Sequence, residues 1–152
     1  MKYTFLTSLF AGLALMTQAQ QAQNPLLDGG FWKNKPTIAT IQQEINNGVN
    51  LQEQAPNLND GIVMAINNGA SMETLKFMLE QPNINIDTPT HHLRTYLNWA
   101  AMRGHKELIQ YLVERKSNIN YKDSHGTTPL HSLAAAGNTD FELYEYMIKH
   151  GA

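Results

Sequence analysis

The sequence has no cysteine. This absence excludes disulfide bonds, zinc sites built on thiolates, a catalytic thiol and a lipid-modified N-terminal cysteine. An excess of one charge is also missing, because 11 Lys and Arg stand against 13 Asp and Glu in 152 residues. Nucleic-acid binding needs clustered Lys and Arg, so this balance argues against it. The length allows one domain with a modest core.

Sequence patterns that carry chemistry are lacking as well. The chain contains no Gly-x-Ser-x-Gly, no His-Glu-x-x-His and no glycine-rich phosphate loop. His91 and His92 are neighbours, and on an extended backbone their side chains are expected to point apart and to bind one ion poorly. The sequence therefore predicts no catalytic residue, no metal site, no cofactor and no small-molecule substrate, and we expect the protein not to be an enzyme.

One long apolar run is present, and it lies at the N-terminus. Lys2 precedes an uncharged stretch over residues 5–16, and Thr17 and Ala19 place small side chains before a cleavage point. This pattern is typical of a secretory signal peptide, and the run is shorter than the roughly 20 residues that span a bilayer. We expect a signal peptide at 1–19, a polar linker at 20–27, export to the periplasm or the medium, and no membrane span after cleavage.

The rest of the chain repeats itself with a period near 33 residues. Four residues recur in register between its last two units: Thr95 with Thr128, Leu97 with Leu130, Ala101 with Ala134, and Gly104 with Gly137. The segments that follow are also similar, as are residues 75–85 and, more faintly, 38–50. Four units are therefore predicted, at about 28–57, 58–90, 91–123 and 124–152.

The last unit contains Thr-Pro-Leu-His at 128–131, and with this period it resembles the ankyrin repeat. The resemblance implies an all-α solenoid of about four helix-turn-helix units with short projecting β-hairpin loops over 28–152. The residues that carry the motif are Thr95, Leu97, Gly104, Gly126, Thr128, Pro129, Leu130, His131 and Gly137.

The motif has a physical logic. Thr128 is expected to cap the first helix of its unit, with Pro129 at the first helical position and His131 bridging back to Thr128. Gly104 and Gly137 are expected to end such helices in a left-handed turn.

Units two and three depart from the motif. Unit three has Leu93 at the usual turn glycine, and Tyr96 and Asn98 at the usual Pro and His. In unit two, Gly61 is expected at the Thr position and Ala70 at the helix-ending glycine.

The two ends of the array differ. Apolar residues between Leu26 and Trp32 are expected to cover the N-terminal end. At the other end the chain stops at Ala152, and Met147 and Ile148 belong to a helix with no unit beyond it. Because terminal units need covering, we favour a longer protein, truncated here, over an exposed end.

In such arrays the loop tips and first helices line a concave face, and residues there that do not serve the fold can bind a partner. Lesser members of this set are Asn68, Gly69, Ala135 and Ala136. The predicted partner-binding residues are His91, His92, Arg94, Met102, Arg103, Lys122, Ser124, His125 and Thr127.

The expected function is that of a non-catalytic protein–protein interaction module in the bacterial cell envelope. Its protein partner is unknown, and an acidic or polar patch would suit the mildly positive binding residues. Two alternatives stay open at this point: the front part of an enzyme whose catalytic region lies beyond residue 152, or a secreted effector that binds host proteins.

Overall fold

The computed structural model describes residues 23–152, so the predicted signal peptide lies outside the described residues. Within that range the chain forms four consecutive helix pairs, which confirms the predicted all-α solenoid of four units. The helices are α1 (Gly29–Lys33), α2 (Ile38–Asn46), α3 (Gly61–Asn67), α4 (Met72–Leu79), α5 (Tyr96–Met102), α6 (Lys106–Glu114), α7 (Pro129–Ala135) and α8 (Phe141–Lys149).

None of the helices in residues 23–152 has the length and apolar character needed to cross a bilayer.

Most helices begin at a residue whose side chain accepts a backbone N–H of the first turn, which satisfies one of the donors left over at a helix start. These caps are Asp28, Thr37, Asp60, Ser71, Thr128 and Asp140. In unit four, Thr128 also contacts the imidazole of His131, at 2.8 Å between Oγ1 and Nδ1. Helix α5 uses Asn98 instead, whose Oδ1 accepts the N–H of Thr95 at 3.1 Å and its hydroxyl at 2.9 Å.

The register of unit two differs by one residue from the sequence expectation. Asp60 is the cap of α3 and Gly61 is its first residue, whereas Gly69, with φ of +70°, forms the left-handed turn that follows the helix. The expected placement of Gly61 and Ala70 was therefore wrong. A side chain at position 61 would be crowded, because a Cβ there would lie 3.0 Å from the Leu26 Cβ and 3.3 Å from the Leu51 carbonyl oxygen.

The helices stack unit on unit. Helix α3 packs between α1 and α5, α5 packs on α7, and α4 packs on α6. Leu26 is fully buried at the N-terminal end, and its carbonyl accepts the indole N–H of Trp32 at 2.8 Å. Asn24 is also buried, and it caps a 3₁₀ turn at Pro25–Leu27. Residues 24–27, which were expected to belong to a linker, are therefore part of the fold.

A buried polar network joins two residues that depart from the motif: Asp60 at the capping position of unit two and Tyr96 at the usual proline position of unit three. The Asp60 carboxylate is fully buried; it accepts the Tyr96 hydroxyl at 2.6 Å and the Val63 N–H at 2.8 Å. The Gln52 amide donates to the Tyr96 oxygen at 2.7 Å. Burial raises the pKa of Asp60, although these hydrogen bonds oppose the rise. The residues thus link units one, two and three.

The loops between units are tight turns, and no strand occurs in the part of the chain that the structure describes. Each of three loops is closed by one backbone hydrogen bond across its base: Ala55 N to Asn59 O at 2.8 Å, Thr90 N to Arg94 O at 2.9 Å, and Asp123 N to Thr127 O at 3.1 Å. A single bond does not make a ladder, so the expected β-hairpins are corrected to hairpin-like turns.

Candidate functional site

The tips of the three inter-unit loops join into one edge of the molecule. We call this edge the tip ribbon, and it consists of residues 54–59, 89–94 and 122–127. The Gln54 amide donates to the Pro89 carbonyl at 2.9 Å, and His91 Nδ1 lies 2.8 Å from the Asn57 carbonyl oxygen. These two contacts fasten the tip of unit two to that of unit three.

The tips of units three and four are fastened more strongly. The Ser124 N–H donates to the His92 carbonyl at 2.8 Å, and Arg94 Nε lies 3.1 Å from a carboxylate oxygen of Asp123. Burial alone would raise the pKa of Asp123, but N–H donors from Thr127 and His125 and the Arg94 guanidinium hold it below its ordinary value. The carboxylate is 1% exposed. Charge-assisted bonds of this kind are among the stronger ones, so the ribbon is rigid here.

Arg94 therefore has a structural role in addition to its predicted place on the surface. Its guanidinium carbon lies 5.3 Å from the ring centroid of Trp99, close enough for a cation–π contact. The indole N–H of Trp99 donates to the Thr90 hydroxyl at 2.8 Å. Trp99 of helix α5 thus contacts the tip of its own unit through Arg94 and Thr90.

Three histidine rings cluster on the ribbon. The ring centroids of His91 and His92 are 4.0 Å apart, and those of His92 and His125 are 4.9 Å apart. The expectation that His91 and His92 point apart was wrong, because the backbone at His92 is left-handed and not extended. The pKa of His92 is lowered, mainly because the ring is partly desolvated. Coulombic interactions with His91 and Arg94 lower it further. Within residues 23–152 no group of three or more His, Cys, Asp or Glu side chains is arranged to hold a metal ion.

The left-handed backbone of this tip is unusual for the residues that adopt it. His92 and Leu93, with φ of +58° and +57°, occupy the two central positions of a turn closed by the Arg94 N–H and the His91 carbonyl at 3.3 Å. Turns with positive φ at both central positions strongly prefer Asn-Gly. A bulky residue in this region is a genuine outlier, and the strain is of order 1–3 kcal/mol per residue.

The tip of unit two contains one left-handed residue, at the position that corresponds to Leu93. Leu58 has φ of +64°, and its N–H donates to the Ala55 carbonyl at 2.7 Å. Gly126 occupies the same place in unit four, with φ of +74° and a 2.9 Å bond to the Asp123 carbonyl. Leu58 and Leu93 are nevertheless 49% and 51% exposed. The sequence shows that Leu93 replaces a glycine, but neither leucine is among the predicted partner-binding residues.

The other predicted residues fall into two groups at opposite ends of α5. Lys122, Ser124 and His125 are exposed on the ribbon, and Thr127 is half-buried there. At the far end, Met102 packs partly against the core, and the exposed Arg103 donates to the Asn67 side chain at 2.9 Å. Residues 96–101 between them are buried, so the two groups do not form a continuous stripe.

The lesser candidates lie apart from the ribbon. Asn68 and Gly69 line a groove of about 790 Å³ beside Trp32, Lys33 and Lys35. Ala135 and Ala136 are exposed at the end of α7.

Comparison with known proteins agrees with this geometry. The family model described as "Ankyrin repeats (3 copies)" matches residues 38–152. The 26S proteasome non-ATPase regulatory subunit 10 of Dictyostelium discoideum is 33% identical over 79 residues, which cover 51% of this chain and 33% of that protein. Alpha-latrotoxin-Lhe1a of Latrodectus hesperus is 38% identical over 69 residues, which cover 44% of this chain and 5% of the toxin.

A third relative is the protein fem-1 homolog A-like of Mus musculus, 30% identical over 56 residues that cover 37% of this chain and 9% of that protein. The chain thus spans a third or less of the length of these relatives. The similarity concerns the repeat units and not the whole proteins.

Proposed function

Because the chain belongs to the ankyrin-repeat family, with the family model covering residues 38–152, we propose that it is a non-catalytic protein–protein interaction module of the bacterial cell envelope. The observation that carries this proposal is the tip ribbon. It is a rigid edge built from three loops, and it carries exposed side chains, His92, His125 and Lys122 among them, beyond those that hold it together.

The ribbon's composition supports a protein partner with an acidic or polar patch. Its buried carboxylate, Asp123, is already paired with Arg94. The exposed polar side chains that remain are Gln54, Asn57, His92, Lys122, Ser124 and His125, and of these Lys122 carries a fixed positive charge. A surface that offers these N–H and O–H donors and one ammonium group can bind acceptor groups on a partner.

Location in the envelope is supported by the N-terminal pattern of Lys2, an apolar run and small residues at 17 and 19. Residues 1–22 fused to a reporter enzyme that is active only outside the cytoplasm should give activity. A matched fusion in which Leu9 and Leu13 are replaced by Arg should give none. Equal activity from both fusions would contradict export by this segment.

Binding is tested with a surface variant that changes five predicted residues together: His91, His92, Met102, Arg103 and His125 to Ala. The mature protein is used to capture partners from envelope extract, and the captured protein is then titrated in pure form. A matched control changes Glu107, Glu145 and Lys149, which are exposed on the outer helices α6 and α8.

We expect the binding variant to stay folded but to unfold at a lower urea concentration than the unchanged protein, because the contacts of His91 and Met102 are lost, and we expect it to lose most of its affinity. The control should keep both properties. If the two variants bind the purified partner equally well, the proposed surface is wrong.

A further inference from the structure

We propose that Leu58 and Leu93 insert into an apolar cleft on the partner protein, and that the rim of this cleft is acidic. The inference rests on the proposed binding function, and it adds the residues that would dominate the interface and the kind of partner they fit. We call Leu58 and Leu93 the tip leucines.

The fold does not need leucine at these two positions. Both residues adopt a left-handed backbone that favours glycine, and Gly126 occupies the equivalent place in unit four, where a Cβ would have no other heavy atom within 4 Å. About half of each leucine side chain faces solvent. A strained, exposed apolar residue destabilises the free protein, so its benefit has to come from something other than folding. Backbone strain of this kind is a feature of binding sites.

The tip leucines are also held in place before a partner arrives. The tips of units two and three are fastened by the Gln54–Pro89 and His91–Asn57 hydrogen bonds. The His91–Arg94 turn fixes the direction of Leu93. Rigid apolar side chains lose little conformational entropy on binding, which favours their use as the central contacts of an interface.

The charge around Leu93 indicates the sign of the partner's surface. On the loop that carries Leu93 and on its neighbour, the nearest carboxylate, Asp123, is buried and paired with Arg94. The exposed polar side chains on these two loops are His92, Lys122, Ser124 and His125. A cleft that receives the leucines would therefore place its rim against N–H and O–H donors and the ammonium of Lys122, and carboxylates on that rim would be complementary. A protein cleft also fits two separate projecting side chains better than a flat surface does.

The test uses the full chain in its native host, with a photo-cross-linking amino acid at position 93, 102 or 145. The protein that cross-links through position 93 is purified and titrated with Leu58→Gly, Leu93→Gly and the double variant. Ile148→Ser is the matched control, because Ile148 is also a large exposed apolar residue, 58% exposed, and lies on α8 away from the ribbon.

Each leucine substitution should weaken binding about tenfold or more, since a leucine side chain that is buried in the complex is lost. Both single variants should also unfold at the same or a higher urea concentration than the unchanged protein, because the left-handed strain is removed. The control should bind with unchanged affinity. The affinity should fall as salt increases if the rim is acidic.

Four outcomes overturn this inference alone. Unchanged affinity in the double variant means that the leucines do not contact the partner, and a lower unfolding midpoint for both single variants means that they serve the fold. Binding of the unchanged protein, but not the double variant, to vesicles of anionic phospholipid would show that the leucines enter a membrane instead. Cross-linking at 102 without cross-linking at 93 would leave the proposed function intact. No cross-linking at 93 or 102 would contradict both proposals.

Discussion

Units three and four have equivalent residues in different surroundings. Ala101 and Val113 in unit three are 0% and 7% exposed. Their counterparts in unit four are Ala134, which is exposed, and Ile148, which is 58% exposed. Unit four matches the repeat motif better, yet unit three is the more deeply buried. Within residues 23–152, the first helix of unit three packs against both α3 and α7, so burial there follows from the neighbouring units and not from agreement with the motif.

The largest expected effect separates the two units directly. Leu97→Ala removes a fully buried side chain that lies between neighbouring units, and we expect it to lower the free energy of unfolding by about 2–5 kcal/mol. The equivalent Leu130→Ala acts on a half-buried side chain and should have at most half that effect. Urea unfolding of both variants measures the difference, and equal losses would contradict the comparison.

The next effect concerns the network that replaces the motif in unit three. Tyr96→Phe removes the hydroxyl that donates to the buried Asp60 carboxylate at 2.6 Å. A buried acceptor without its donor costs about 1–3 kcal/mol. The control is Tyr144→Phe, whose hydroxyl donates to the Asn138 carbonyl at 2.9 Å in unit four. The Tyr144 hydroxyl is only partly buried, so Tyr144→Phe should lower the stability less than Tyr96→Phe does. Thermal unfolding of both variants measures the difference.

A third prediction compares two aspartates that cap helices. Burial raises the pKa of Asp60 in the folded protein, so its contribution to stability is full at low pH and is lost as pH rises from the unfolded-state value near 4 through the raised value. The Asp60→Asn variant should lack this decline. In unit four, Lys106 lowers the pKa of Asp140, so that group contributes above about pH 4 and loses its contribution as pH falls.

Unfolding midpoints between pH 3 and 8 test these signs. Raising the pH should destabilise the unchanged protein relative to Asp60→Asn, and it should stabilise the unchanged protein relative to Asp140→Asn. If the unfolding midpoints of the two variants changed with pH in the same way, the burial of Asp60 would have no electrostatic consequence.

Substitutions at the caps and turns should lower the free energy of unfolding least. Their contacts are local, so the effects should be nearly equal in units three and four. Thr128→Val removes the oxygen that accepts the His131 N–H and contacts its ring, and should cost about 1 kcal/mol. Gly104→Ala and Gly137→Ala introduce a side chain at φ of +61° and +73°, at about 1–2 kcal/mol each. A Cβ at position 104 would also lie 2.8 Å from the Asn138 amide nitrogen, whereas a Cβ at position 137 would have no other heavy atom within 4 Å. Calorimetry should therefore rank Gly104→Ala as slightly the worse.

Much of the fold could be predicted because its signals are local. The repeat of Thr95 and Gly104 at Thr128 and Gly137 marks helix starts and ends, and the structure has helices at those places. The register of unit two could not be placed, because Asp60 caps as well as Thr does and Gly61 and Gly69 are both glycines near a boundary. Distinguishing them requires knowing that Leu26 would crowd a side chain at position 61.

The candidate surface was harder to predict. His92 and His125 were predicted as tip residues, but their contact depends on a left-handed turn that their sequence does not favour. Leu58 and Leu93 were not included, since a leucine in a sequence is ordinarily a core residue. Only the backbone angles and exposure mark them as unusual.

The amino-acid sequence alone determined four helical pairs, the Thr128 cap and the left-handed turns at Gly104 and Gly137, because these depend on residues within one or two turns of chain. Tertiary structure decided which equivalent residues are buried, how Asp60 and Tyr96 satisfy each other, and how three loops join into one edge. Those features depend on contacts between residues about one repeat apart or more, and the energy of such contacts comes from desolvation and close packing that no short segment possesses.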